Sequence, residues 1–207
     1  KRQYHTPDGV DLEVGGTVED QGDAFGDLGV LFILIVILVY IVMATQFESL
    51  LFPFIIMFTI PFAFTGVFLA LWMTSTPLSL IALIGAIMLV GIVTKNGIVM
   101  VDYMNLLVER GSGVFDAVIA GGKSRLRPVL MTSFTTILGM LPLAIGTGAG
   151  SETWQPMGIA VIGGLTCSTL LTLFIIPALY SVFVNRSQRK EKEKLARLSA
   201  EHQASVH

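Results

Sequence analysis

Five apolar stretches dominate this chain, at about residues 28–45, 51–73, 78–101, 128–145 and 157–184. Each is long enough to cross a bilayer, whose hydrocarbon core takes about 20 helical residues. Nothing inside that core offers hydrogen bonds to the backbone, so each crossing must close its own as a helix. The expected fold is therefore an all-α, five-helix transmembrane bundle. Composition agrees. Of 207 residues, 53% are hydrophobic and 14% charged, against about 25% charged in soluble domains. A soluble globular enzyme is excluded because too little polar surface is available to cover one. The net charge of −2 argues against nucleic acid as a partner, since such proteins carry a basic excess. The single cysteine, Cys167, excludes an internal disulfide and a Cys-rich metal site. Inside an apolar run it reads as a packing residue.

Basic residues in short loops set the orientation of membrane spans. Arg110, Lys123, Arg125 and Arg127 follow the third span, and Arg186, Arg189, Lys190, Lys192, Lys194 and Arg197 follow the fifth. The loop TSTPLS carries no charge, and TGAGSETW carries only Glu152. The basic side is the expected cytoplasmic side, which puts the C-terminus inside and the N-terminus outside. Residues 1–27 differ in kind, being polar and acidic. Within them VDLEVGG alternates Val10, Leu12 and Val14 with polar neighbours, the periodicity of a strand. A lone strand is unstable, so this one is expected to complete a sheet whose other strands lie elsewhere, as the remnant of a larger domain. Residues 17–27 are expected to lead into the first span as helix. The tail, 185–207, reads as a charged cytoplasmic helix fraying into disorder, near enough to membrane lipid for its basic cluster to touch it. The chain opens on Lys1 without a signal-peptide pattern, and is expected to be a piece of something longer.

Charges inside spans are costly, and so they are informative. The two candidates are Lys95, in the third stretch, and Asp102, at its end. A lysine at a helix centre costs about 2.5–3.5 kcal/mol on insertion scales. Snorkelling toward the cytoplasmic end would lower that cost; pairing with a carboxylate inside the bundle is the functional alternative. Asp102 shares a face with Lys95 but stands about 10 Å along the axis, and is expected at the interface. The fourth stretch supplies Thr132, Ser133, Thr135 and Thr136, and most such hydroxyls bond to their own helix or to a neighbour. Arg125 and Thr132 are two turns apart on one face. Lys95, Thr132 and Arg125 are thus expected to line one polar track from mid-membrane to the cytoplasm. The spans hold no carboxylate at mid-depth, so a charged Lys95 needs one from outside the chain. The glycine-rich GTGAGSE lacks the GK[ST] ending of a phosphate loop, and no HExxH, zinc-spaced set or nucleophile elbow occurs. The chain is therefore expected not to be an enzyme and to need no cofactor or metal.

These residues also resemble a known family. ATQFESLLFPFIIMFTIPFAFTG is similar to the eighth and ninth membrane helices of resistance–nodulation–division (RND) efflux transporters. GIVTKNGIVMVDYMN resembles the tenth, GGKSRLRPVLMTSFTTILGMLPLAIGTGAGSE the following loop and the eleventh, and IGGLTCSTLLTLFIIPALYSVF the twelfth. The motifs fall in order over about residues 10–185, and the TKN setting of Lys95 resembles the hydrophobe/amphiphile (acriflavine-resistance, multidrug) branch.

The resemblance implies the C-terminal five helices of a twelve-helix, proton-driven antiporter of the bacterial inner membrane. It also implies a homotrimer joined to a periplasmic adaptor and an outer-membrane channel, with proton motive force in place of a cofactor. In that family a helix-ten lysine and a helix-eleven threonine and arginine complete a proton relay with two helix-four aspartates. By motif, Lys95, Thr132 and Arg125 take those three places, and Asn96 matches the residue beside the lysine. The aspartates belong to an N-terminal half with no counterpart here. The alternatives are a split or truncated membrane scaffold or assembly subunit without transport of its own, or a metal, lipid or protein exporter of the same superfamily.

Overall fold

The computed structural model describes residues 17–146, 148 and 150–205, with side-chain surroundings for 21–146, 148 and 150–184. The strand expected around Val10, Leu12 and Val14 lies outside the described residues. Within them the chain is helical, without strands. The order is α1 (Thr17–Phe47), α2 (Leu51–Met57), α3 (Thr59–Met73), α4 (Leu80–Glu109), α5 (Val114–Ile145) and α6 (Ser151–Ser205). α2 and α3 form one 23-residue crossing, so the bundle has five membrane-length spans.

The break within the second span has a local cause. Pro61 has no N–H to give the carbonyl four residues back, and its ring crowds that turn. The chain reorganises at Phe58, and Thr59 Oγ1 donates to the Ile56 carbonyl at 2.6 Å. A side-chain hydroxyl thus serves a carbonyl at the break, where lipid offers no donor. At the next connection Ser79 caps α4, accepting from the Ala82 N–H at 3.2 Å. α5 ends on Gly146 at φ +70°, a left-handed position that a side chain would strain.

Two boundaries differ from the sequence expectation. The fourth crossing was expected to start at Pro128, after a long loop. Instead α4 runs on to Glu109, and α5 begins at Val114 after a short turn. Hydropathy marks the part of a helix that sits in lipid, not the part that is helix. Residues 114–127 are too charged for hydrocarbon, yet their inward face is apolar or small: Val114, Ala117 and Gly121 are buried. Asp116 in the first turn complements the helix dipole. Arg125 therefore sits on a helix rather than in a loop. Likewise, α1 joins residues 17–27 to the first span, and α6 continues through the charged tail.

α6 packs most extensively, against α3, α4 and α5, while α1 lies against α2 and α4 and meets α3 through the edge-to-face Phe32–Phe64 pair at 5.1 Å. In lipid, tight packing rather than water exclusion holds helices together. Where α3 meets α6, glycines bring the backbones into contact. A Cβ on Gly66 would fall 2.7 Å from the Gly163 carbonyl and 3.0 Å from the Gly164 Cα, and it would also strike the Cys167 Cβ. The neighbouring cluster uses small and medium side chains, among them Ala63, Val67, Ala86 and Ala160. Toward the basic end the filling is larger, with Met43, Ile56, Met100, Met104 and Tyr180. There the Tyr180 hydroxyl donates to Asn105 Oδ1 at 2.6 Å, and its ring stacks on Phe52 at 5.8 Å. Half of the apolar window of α4 and of α6 is buried, against 6% for α1 and 11% for α5. The bundle thus has a packed interior of α3, α4 and α6 with two outward-facing helices flanking Lys95.

Candidate functional site

Lys95 stands at the middle of α4, fourteen residues, or about 21 Å, from the end at Glu109. Its side chain is exposed in the bundle and borders two grooves. One lies toward α1, measures about 300 Å³, and is walled by Leu38, Val39, Val42 and Ile98. The only hydroxyl on that wall, Thr94, gives its proton to the Val90 carbonyl of its own helix at 2.6 Å. The other groove lies toward α5, measures about 170 Å³, and is lined by Ile92, Lys95, Asn96, Thr132, Ser133 and Thr136. The structure therefore brings Lys95, Asn96 and Thr132 together, from two helices that the sequence separates by a turn.

The hydroxyls of this second groove are oriented. Thr132 Oγ1 donates to the Val129 carbonyl at 2.9 Å, and Thr136 Oγ1 to the Thr132 carbonyl at 2.9 Å. With its proton committed, each oxygen keeps lone pairs for an incoming donor. An ammonium has only donors, so Lys95 faces acceptors suited to it. Ser133 turns the other way, and its Oγ lies 2.9 Å from Thr169 Oγ1 on α6, with both side chains buried. That pair binds α5 to α6 beside the groove.

Arg125 and Asp102 lie elsewhere. The Arg125 guanidinium sits 4.7 Å above the ring of Tyr103 on α4, a cation–π contact. Its Nε is buried without a hydrogen bond among the described residues. It does not line the groove, and the continuous track expected from Lys95 through Thr132 to Arg125 is divided: two members share a cavity and the third is stacked nearer the basic end. Asp102 is exposed and also outside the groove. Sequence reasoning did not find Tyr103, the Ser133–Thr169 pair or the Asn105–Tyr180 bond. Each is a polar residue in an apolar stretch, which signals a partner without naming it.

The matches to known proteins bear on this arrangement. Residues 1–184 match the AcrB/AcrD/AcrF family. The chain belongs to that family. Its members are RND efflux transporters, and this chain forms a multi-pass membrane part of one. It is 39% identical over 185 residues to the swarming motility protein SwrC of Bacillus subtilis (strain 168), covering 89% of this chain and 18% of that one. It is 38% identical over 191 residues to the cobalt-zinc-cadmium resistance protein CzcA of Cupriavidus metallidurans, covering 92% and 18%. The multidrug resistance protein MdtC of Erwinia tasmaniensis is 44% identical over 156 residues, covering 74% and 15%. A crystal structure of a heavy metal efflux pump superposes with a TM-score of 0.70 at 33% identity, over 80% of this chain and 16% of that one. The chain thus spans less than a fifth of the length of these relatives. Their names range over swarming motility, drug resistance and metal resistance or efflux, so the family is fixed more sharply than the cargo.

Proposed function

We propose that this chain is the C-terminal transmembrane part of a proton-driven efflux antiporter and supplies the cationic side of its proton relay. The observation that carries this reading is the setting of Lys95: mid-helix, exposed in this bundle, on a groove lined by Asn96 and Thr132, in spans that hold no carboxylate at mid-depth. An amine at that depth is stabilised by an acid close by, and the outward-facing sides of α1 and α5 leave room for helices that carry one. On this reading the acids are aspartates of a fourth helix in an N-terminal half. Protonating them breaks the pairing, releases Lys95 to the hydroxyl groove, and shifts the helices that hold the transport cycle. Each elementary charge moved across the membrane supplies about 2.3 kcal/mol per 100 mV. Arg125, held on Tyr103, would serve nearer the cytoplasm, and Asp102 would sit at the interface.

The reading carries the rest of the assembly with it. The protein lies in a bacterial inner membrane, with the C-terminus and the basic end of the bundle in the cytoplasm. It works as a homotrimer with a periplasmic adaptor and an outer-membrane channel, and is a transporter rather than an enzyme. Drugs or other amphiphiles are the proposed cargo, in keeping with the TKN setting of Lys95 and the MdtC relatives. Metal ions as cargo form a second reading, favoured by the CzcA relative and the heavy metal pump structure. The test is made in the full-length transporter reconstituted in vesicles with an imposed proton gradient. Lys95→Met is expected to abolish proton-coupled transport while expression and assembly persist. Normal transport by that variant would overturn the relay. Cationic dyes and divalent zinc, offered separately, decide between the two cargo classes.

A further inference from the structure

Of the buried threonines described in these spans, Thr59, Thr94 and Thr169 have a hydrogen-bond partner and Thr172 has none. Thr94, Thr136 and Thr166 each donate to the carbonyl four residues back, the usual way a hydroxyl is satisfied in an apolar helix. Thr172 on α6 does not. Its side chain is 2% exposed and its Oγ1 makes no hydrogen bond among the described residues. A buried hydroxyl left unbonded costs about 1–3 kcal/mol by protein mutational measures. Buried and without a protein partner among the described residues, this oxygen is open to a donor or acceptor from elsewhere.

That place adjoins the groove. Thr172 lies one turn from Thr169 on the same face of α6, and Thr169 Oγ1 is 2.9 Å from the Oγ of Ser133, a residue that also borders the groove. The depth also matches. A Cβ on Gly164 would strike Leu89, and one on Gly97 would fall 3.2 Å from Ile176 Cδ1. Lys95 lies between Leu89 and Gly97 on α4, and Thr172 between Gly164 and Ile176 on α6.

We infer that Thr172, with the Ser133–Thr169 pair, holds a buried water that extends the Lys95 groove inward to α6. Buried waters bind where a few polar groups converge that have no partner of their own, and bridging water is nearly as good as a direct hydrogen bond. Thr172 is then a positioning residue. It acts through the water on the polarity around Lys95 and touches neither cargo nor the amine. The inference rests on the relay reading and adds a third helix to it.

The experiment compares Thr172→Val, Thr172→Ser and Lys95→Met in the full-length transporter in vesicles. Valine keeps the shape and removes the hydroxyl; serine keeps the hydroxyl. Thr172→Val is expected to lower turnover about tenfold, the worth of one hydrogen bond, with the apparent KM unchanged and the melting temperature not reduced. Thr172→Ser is expected to restore turnover to within about twofold. A high-resolution map of the wild type should show ordered water density on Thr172 Oγ1, lost in the valine variant. Wild-type turnover in Thr172→Val beside an inactive Lys95→Met overturns the inference and leaves the relay standing. Density without a turnover effect reduces Thr172 to packing and equally overturns its role. An active Lys95→Met overturns the relay, and with it this extension.

Discussion

The α3–α6 contact and the α4–α5 contact use small and polar residues to opposite ends. Between α3 and α6, Gly66, Gly163 and Gly164 let the helices close until backbone meets backbone. Cys167 serves there as one more small packing group. Between α4 and α5 the facing residues are Asn96, Thr132, Ser133 and Thr136, and the helices stay far enough apart to leave a groove of about 170 Å³. A closed seam converts small residues into dispersion contacts worth about 0.1–0.2 kcal/mol per atom pair. An open seam gives that up and keeps hydroxyl lone pairs available in the membrane. On the proposed relay, polar residues in these spans serve transport where a space adjoins them; elsewhere they bind helix to helix, as in the Asn105–Tyr180 bond.

This contrast can be broken, beginning with the largest effect. Gly163→Leu should disable the bundle, because even a Cβ there strikes Ala70 and falls 2.9 Å from the Gly66 carbonyl. Overpacking typically costs about 1–3 kcal/mol, and backbone in the way pushes it to the upper end or past it. The check is a sharp fall in melting temperature in detergent. Retention of wild-type stability would mean that the seam is looser than drawn. Next, Thr132→Val should cut transport by the full-length protein about tenfold, with little change in stability, as one lost acceptor facing an ammonium predicts. Tyr180→Phe should cost about 1–2 kcal/mol, since it keeps the stack on Phe52 but leaves the Asn105 oxygen unpaired. Its signature is a lowered melting temperature with transport retained at permissive temperature. Smallest of all, Thr94→Val should leave transport unchanged and shift stability by less than about 0.5 kcal/mol. That hydroxyl serves only its own helix on the apolar side of Lys95. Equal effects of Thr94→Val and Thr132→Val would erase the distinction between the two grooves.

Much of this is legible along the chain. Uninterrupted apolar runs between charged ends leave few alternatives to crossing helices, and a lone lysine in such a run announces itself. Lys95 and Thr132 were found in this way, Asn96 only through the family resemblance, and the three share one groove. Helix ends were read less well. α5 starts fourteen residues before Pro128, because charge stops a segment from entering lipid without stopping it from being helix. Arg125 illustrates a different limit. Its two-turn spacing from Thr132 is correct on the helix, but the side chain is drawn to Tyr103 on α4, a contact no spacing rule contains.

What the sequence determined alone was therefore the set of helices and the residues that cannot rest quietly in lipid, since both follow from the free energy of placing each group in hydrocarbon. Tertiary structure decided which helices close on glycine and which stand apart, and so which side of Lys95 is polar. It also decided that the hydroxyl of Thr172 is buried without a partner among the described residues. Those outcomes depend on distances between segments far apart in the chain, fixed only when side-chain volumes from several helices compete for the same space.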